Sequence, residues 1–124
     1  MNRLLLLVFL TISLCSFSQT QSEMNGEVTE SFKKADKELN LTYKKVLEKY
    51  KSDTVFIENL RIAQRIWIKF RDAELELKYP KREVGYYGSV LPMCKALYLT
   101  GLTEKRTVTL TEFLKGVEEG DVCN

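Results

Sequence analysis

The stretch Ala63-Gln64-Arg65-Ile66-Trp67-Ile68-Lys69-Phe70-Arg71-Asp72 places the only tryptophan of this 124-residue chain on a helical period and surrounds it with polar side chains. Around it, Phe56, Leu60, Ala63, Trp67, Phe70, Ala73 and Leu77 recur at steps of four and three, which predicts one apolar stripe along a helix. Ser52-Asp53 supplies an N-cap and Pro80 forbids continuation, so the helix is expected from about 54 to 78. An aromatic ring at this spacing reads most simply as core; a ligand pocket is the rarer reading. Gln64 and Arg71, on the flank of the stripe, are placed to join a polar network with the indole. Asp72 has Arg65, Lys69 or a charge on another helix as candidate partners.

Upstream, Val28, Phe32, Ala35, Leu39, Tyr43, Val46 and Tyr50 repeat the same spacing, with Lys and Glu opposite them. Thr20-Gln21-Ser22-Glu23 has the form of a capping box, so this helix is expected to start near 21. The few residues between the two helices force them antiparallel. Downstream, 81–88 shows no period and reads as a loop, and Ser89 is expected to cap a third helix with Pro92 in its first turn. Leu91, Ala96, Leu99, Leu102, Leu110, Phe113, Leu114 and Val117 give that helix its apolar side, and Gly120 is expected to close it. The expectation is an all-α, three-to-four-helix antiparallel bundle-like domain.

The N-terminus reads as a secretory signal. Asn2 and Arg3 precede the apolar run Leu4 to Leu14, and Ser16-Phe17-Ser18 is a small-x-small cleavage site. Cleavage after Ser18 divides the chain into a signal over 1–18 and one helical domain over 19–124, destined for the periplasm or the exterior. The apolar run is about eleven residues, short of the roughly 20 that span a bilayer, so no transmembrane segment is expected in the mature chain. Lipid attachment at Cys15 is the less favoured alternative, because Leu14 stands where a lipoprotein signal wants a small residue.

Composition removes several classes of function. The chain has no His, the commonest general base and metal ligand, and no metal site or cofactor is expected. Its net charge of +2 is not gathered into a basic stripe with interleaved aromatics, so nucleic acid is not an expected partner. Glu74 and Glu76, the carboxylates an enzyme acting on peptidoglycan would need, stand two apart on a helix and point in different directions. No enzyme is expected.

Cys94 and Cys123 remain after processing, in a compartment where a bridge is expected. Its geometry is conditional. A straight helix from Cys94 to about Gly116 is roughly 33 Å long, and the tail to Cys123 reaches back only about 24 Å. A bridge therefore requires a bend near Thr100-Gly101, the expected arrangement; free thiols or an intermolecular bond are the alternatives.

Gln64, Trp67, Arg71 and Asp72, then Gly88-Ser89, then Leu102-Thr103 with Arg106, together resemble the Q-x-x-W-x-x-[FY]-R-D, Gly-Ser and L-T-x-x-R motifs of the LprI-like lysozyme-inhibitor family of small secreted bacterial proteins, once known only as a domain of unknown function. The resemblance covers about 25–115. It implies a secreted helical domain that binds a protein partner, with lysozyme as first candidate, and it treats these motif residues as mainly structural. An envelope binding or assembly module with another ligand is the alternative. The family pattern also places one Cys shortly after the R-D pair and another five residues before the L-T-x-x-R threonine. Leu75 and Tyr98 occupy those places here, as though packing had replaced a bridge. For partner binding the candidates are Lys81, Arg82, Tyr86 and Tyr87, cations and aromatic area in one loop. They suit the cleft of lysozyme with its two carboxylates, while the acidic Glu118-Glu119-Gly120-Asp121 suits a basic rim.

Overall fold

The computed structural model describes residues 2–116 and Cys123, with side-chain environments from residue 20 onward. The elements are α1 (Asn2–Lys49), α2 (Thr54–Lys78) and α3 (Leu91–Lys115). They run up, down and up, so α1 and α3 lie parallel, and their backbones approach each other more closely than that of α2 approaches either. The core forms where the three meet. Leu39, Val46, Leu60 and Leu110 are its buried centre, with Tyr43, Leu47, Tyr50, Phe56, Trp67 and Leu114 packed around them.

The expected stripe on α1 is the packed one: Ala35, Leu39 and Val46 are buried, and Val28, Phe32, Tyr43 and Tyr50 are half-buried. Its expected start at 21 is corrected. The helix runs through Thr20-x-x-Glu23 without interruption from Asn2, since the leader contains neither Pro nor Gly to stop it.

The bounds of α2 are those expected. The Asp53 side chain accepts a hydrogen bond from the Phe56 N–H at 3.0 Å, and Tyr79 ends the helix before Pro80. Its rotation is different. The face turned to α1 and α3 carries buried Leu60 and Gln64 and half-buried Trp67 and Arg71, while Ala63, Phe70, Ala73 and Leu77 are exposed. Apolar residues occupy two sides of this helix, and the expected stripe straddled both.

Helix α3 starts later and ends earlier than expected. Val90, not Ser89, is the N-cap, without a side-chain cap bond, and Pro92 sits within the first turn. At the other end Gly116 adopts φ 82°, a left-handed conformation that favours glycine, and takes the role expected of Gly120. Two of the carbonyls left open by the last turn are taken from outside. Lys49 Nζ donates to Phe113 O at 3.1 Å and to Leu114 O at 2.8 Å, and Tyr50 Oη donates to Phe113 O at 2.8 Å. Val117, Gly120 and the acidic run 118–121 lie outside the described residues.

The expected bridge is not formed: Cys94 and Cys123 are not disulfide-bonded. Correspondingly, α3 passes through Gly101 without a break, although Thr100 does bond back to Ala96 O at 2.8 Å. An unbroken helix is the geometry in which no bridge is expected.

Candidate functional site

The motif residues from α2 and α3 converge on one place, the seam between the helices. Arg106 Nε donates to the Oε1 of buried Gln64 at 3.0 Å. Its guanidinium lies 5.9 Å from the centre of the Trp67 ring, and that of Arg71 lies 5.4 Å from it. Each such cation over an indole contributes about 0.5–1 kcal/mol. Arg71 continues outward to its neighbour Asp72 at 2.9 Å and to Asp36 of α1 at 3.8 Å, so Asp72 pairs with none of the partners expected for it. Burial lowers the pKa of Arg106. This seam is a buckle between three helices.

Leu102 is half-buried beside it, and Thr103 is fully buried. The Thr103 hydroxyl is the one buried side-chain polar atom without a hydrogen-bond partner among the described residues. Gly88 has φ 70°, and its N–H donates to Gly85 O at 3.1 Å across a tight turn. Only glycine takes that conformation without strain, which accounts for the Gly of the Gly-Ser pair. Ser89 is exposed.

The remaining candidates lie at the end of the bundle where α2 turns into α3. Lys81, Arg82 and Tyr86 are exposed, and Tyr87 is half-buried. The Tyr87 hydroxyl donates to Pro80 O at 2.8 Å, tying the loop across its base. Four tyrosines form a ladder of edge-to-face contacts: Tyr86 to Tyr87 at 4.8 Å, Tyr87 to Tyr79 at 5.9 Å, and Tyr79 to Tyr98 at 6.3 Å. Arg82 lies 5.9 Å from the Tyr86 ring centre, and Lys78 lies 5.9 Å from that of Tyr98. Together with Glu76, Leu91 and Lys95, the loop encloses an open depression of about 380 Å³.

Tyr98 and Lys95 reach this site from α3 and are not among the partner-binding residues expected from the sequence. The signal for Tyr98 was its occupation of a family cysteine position. Tyr98 Oη donates to Glu74 Oε2 at 3.2 Å, so a hydrogen bond next to Leu75 joins α2 to α3 near the place of the missing bridge. Burial raises the pKa of Tyr98, helped by the Glu74 carboxylate. Burial also raises that of Tyr79, helped by the Cys94 thiol. Both phenols thus stay protonated to higher pH than free tyrosine, and both remain hydrogen-bond donors at neutral pH.

The family model described as lysozyme inhibitor LprI matches residues 15–110, which include every motif residue of the seam. The chain belongs to the lysozyme inhibitor LprI family. It is also 32% identical over 118 residues to a protein of Rhizobium meliloti (strain 1021) described as uncharacterized, with 84% of this chain and 81% of that protein covered. No solved structure matches significantly. Within the matched range, Arg106 and Gln64 meet as partners in the seam, whereas the tyrosine ladder lies beyond it.

Proposed function

We propose that this chain is an exported, non-enzymatic inhibitor of lysozyme that presents the 79–90 loop to the cleft of its target. Membership of the LprI family supports the activity. The observation that supports the loop is its combination of exposed Lys81, Arg82 and Tyr86 on a base held by the Tyr87 hydroxyl and the tyrosine ladder. Cations and tyrosines on a fixed frame bind with little loss of side-chain freedom. Lysozyme offers two carboxylates in a polysaccharide-shaped cleft, so the loop inhibits by occupancy, with Lys81 and Arg82 facing the carboxylates and Tyr86 covering sugar-binding surface. Cleavage after Ser18 delivers the protein to the periplasm or exterior, where lysozyme acts. Among the described residues no helix is long and apolar enough to cross a membrane.

The test is hydrolysis of a soluble oligosaccharide by lysozyme in the presence of the purified protein. The wild type slows it, and Lys81→Glu with Arg82→Glu weakens inhibition by about tenfold or more through lost electrostatic complementarity. The thermal midpoint of that variant stays within about 1 °C of wild type, since both positions are exposed. A wild type that binds lysozyme without slowing a soluble substrate removes the cleft mechanism. A wild type that does not bind any lysozyme turns the reading to an envelope module.

A further inference from the structure

Helix α1 gathers the positive charge of the chain. Residues 33–51 hold seven lysines and three acids, a net charge of +4, against +2 for the whole chain, so the remainder is net negative. The three acids do not offset the outermost lysines. Asp36 is turned to Arg71 of α2 at 3.8 Å, Glu48 is held by Lys51 at 2.6 Å, and Glu38 lines the groove beside α3. Lys34, Lys37, Lys44 and Lys45 are exposed and form no ion pair among the described residues.

These four share one side of the helix with Leu41, which is 44% exposed. Steps of three and four lead from Lys34 through Lys37 and Leu41 to Lys44, with Lys45 beside it, and keep them on one face. Buried Leu39, Thr42 and Val46 turn the opposite face into the bundle. The result is a convex ridge about 17 Å long, cationic on both flanks of one apolar residue. A discrete anion would call for a concave cradle, and single-stranded nucleic acid for exposed aromatic rings to stack on. The ridge offers neither. A planar anionic surface asks only for charge and a shallow apolar contact, because lysine stems extend to place their ammonium groups among headgroups while an apolar side chain reaches the acyl boundary.

We propose that the outer side of α1 docks this protein on a bilayer surface rich in anionic lipid headgroups. Lys34 and Lys45 reach to one side of Leu41, and Lys37 and Lys44 to the other. Each lysine near such a surface strengthens binding about fivefold. Leu41 alone adds little, so the attachment is reversible, driven by charge and weakened by salt. The 79–90 loop stands at one end of the bundle and not on this side, so the docked protein still presents it. Docking therefore does not depend on the lysozyme reading.

Co-sedimentation of the purified mature protein with phosphatidylcholine vesicles, with or without about 30% phosphatidylglycerol, tests this. The wild type binds the phosphatidylglycerol vesicles, about tenfold more weakly in roughly 0.5 M salt, and does not bind phosphatidylcholine alone. Lys37→Glu with Lys44→Glu weakens binding by about tenfold or more, with an unchanged circular dichroism spectrum. Lys81→Glu with Arg82→Glu makes the same change in net charge away from the ridge, and keeps vesicle binding within about threefold of wild type. Leu41→Ala weakens binding by about threefold. Equal binding to both kinds of vesicle overturns the proposal, as does binding to neither. Equal losses in the two charge-reversal variants overturn the assignment to α1. A Leu41→Ala variant that binds like wild type overturns the bilayer in favour of a soluble polyanion.

Discussion

On α2 the side turned toward α1 and α3 presents Leu60, Gln64, Trp67 and Arg71, whereas the side turned to solvent presents Ile62, Ile66, Phe70 and Leu77. Hydropathy alone would have placed them the other way round. The inner side succeeds because each polar group has a specific partner: Gln64 has Arg106, Arg71 has Asp36 and Asp72, and the faces of Trp67 receive two guanidinium groups. Burying a polar group costs only when it is left unpaired. The outer side has no such partners among the described residues, and its aliphatic side chains stay exposed. What decides the rotation of this helix is the complement available on α3, not the tally of apolar residues on α2.

The largest effect that tests this contrast is truncation of an aromatic ring on each side. Trp67→Ala removes a ring packed on the core and the platform for two cations, and is expected to cost about 3 kcal/mol in urea unfolding. Phe70→Ala, three residues away, is expected to cost less than about 0.5 kcal/mol. Equal losses at the two positions would reverse the assignment of inner and outer faces.

Next in size is the polar clasp of the inner side. Arg106→Met keeps an unbranched stem but removes the donor to Gln64, leaving a buried amide oxygen unpaired at a cost of about 1–3 kcal/mol. Adding Gln64→Leu removes the orphan as well. The double variant is expected to recover part of the loss, giving a coupling of about 1 kcal/mol in a double-mutant cycle. Additive losses would show that the two side chains contribute independently.

Much of this architecture was legible in local signals. The α1 stripe, the Asp53 cap and the Pro80 stop each act through a few neighbouring residues, and each stands where the sequence places it. The misreadings have long-range causes. The end of α3 is set at Gly116, where Lys49 of α1 and Tyr50 of the following turn take the carbonyls of Phe113 and Leu114 from more than 60 residues away in sequence. The inward turn of Gln64 on α2 is matched by Arg106 of α3, and α3 runs unbroken through Gly101 with Cys94 and Cys123 not disulfide-bonded. At the loop, composition singled out Lys81, Arg82, Tyr86 and Tyr87, but the frame that holds them includes Tyr98, which α3 delivers. The family motifs were informative for the same reason in reverse: Gln64 and Arg106 lie 42 residues apart and meet in space.

The smallest effect concerns Thr103, at the centre of the L-T-x-x-R motif. Its side chain is fully buried, its backbone carbonyl accepts from Thr107 Oγ1 at 3.1 Å, and its own hydroxyl has no partner among the described residues. A buried hydroxyl that lost its water and gained nothing costs about 1–3 kcal/mol, and removing it with its shape preserved is nearly neutral or stabilising. Thr103→Val substitutes a methyl group for that hydroxyl without enlarging the side chain. The expected gain is between zero and about 1 kcal/mol, read as an equal or higher urea midpoint with an unchanged slope. Where the inner side of α2 is stabilised by polar pairs, this position on α3 should be indifferent to losing its polar atom. A loss above about 1 kcal/mol would show that the hydroxyl is satisfied in solution, and would extend the polar buckle from Gln64 and Arg106 to the motif threonine.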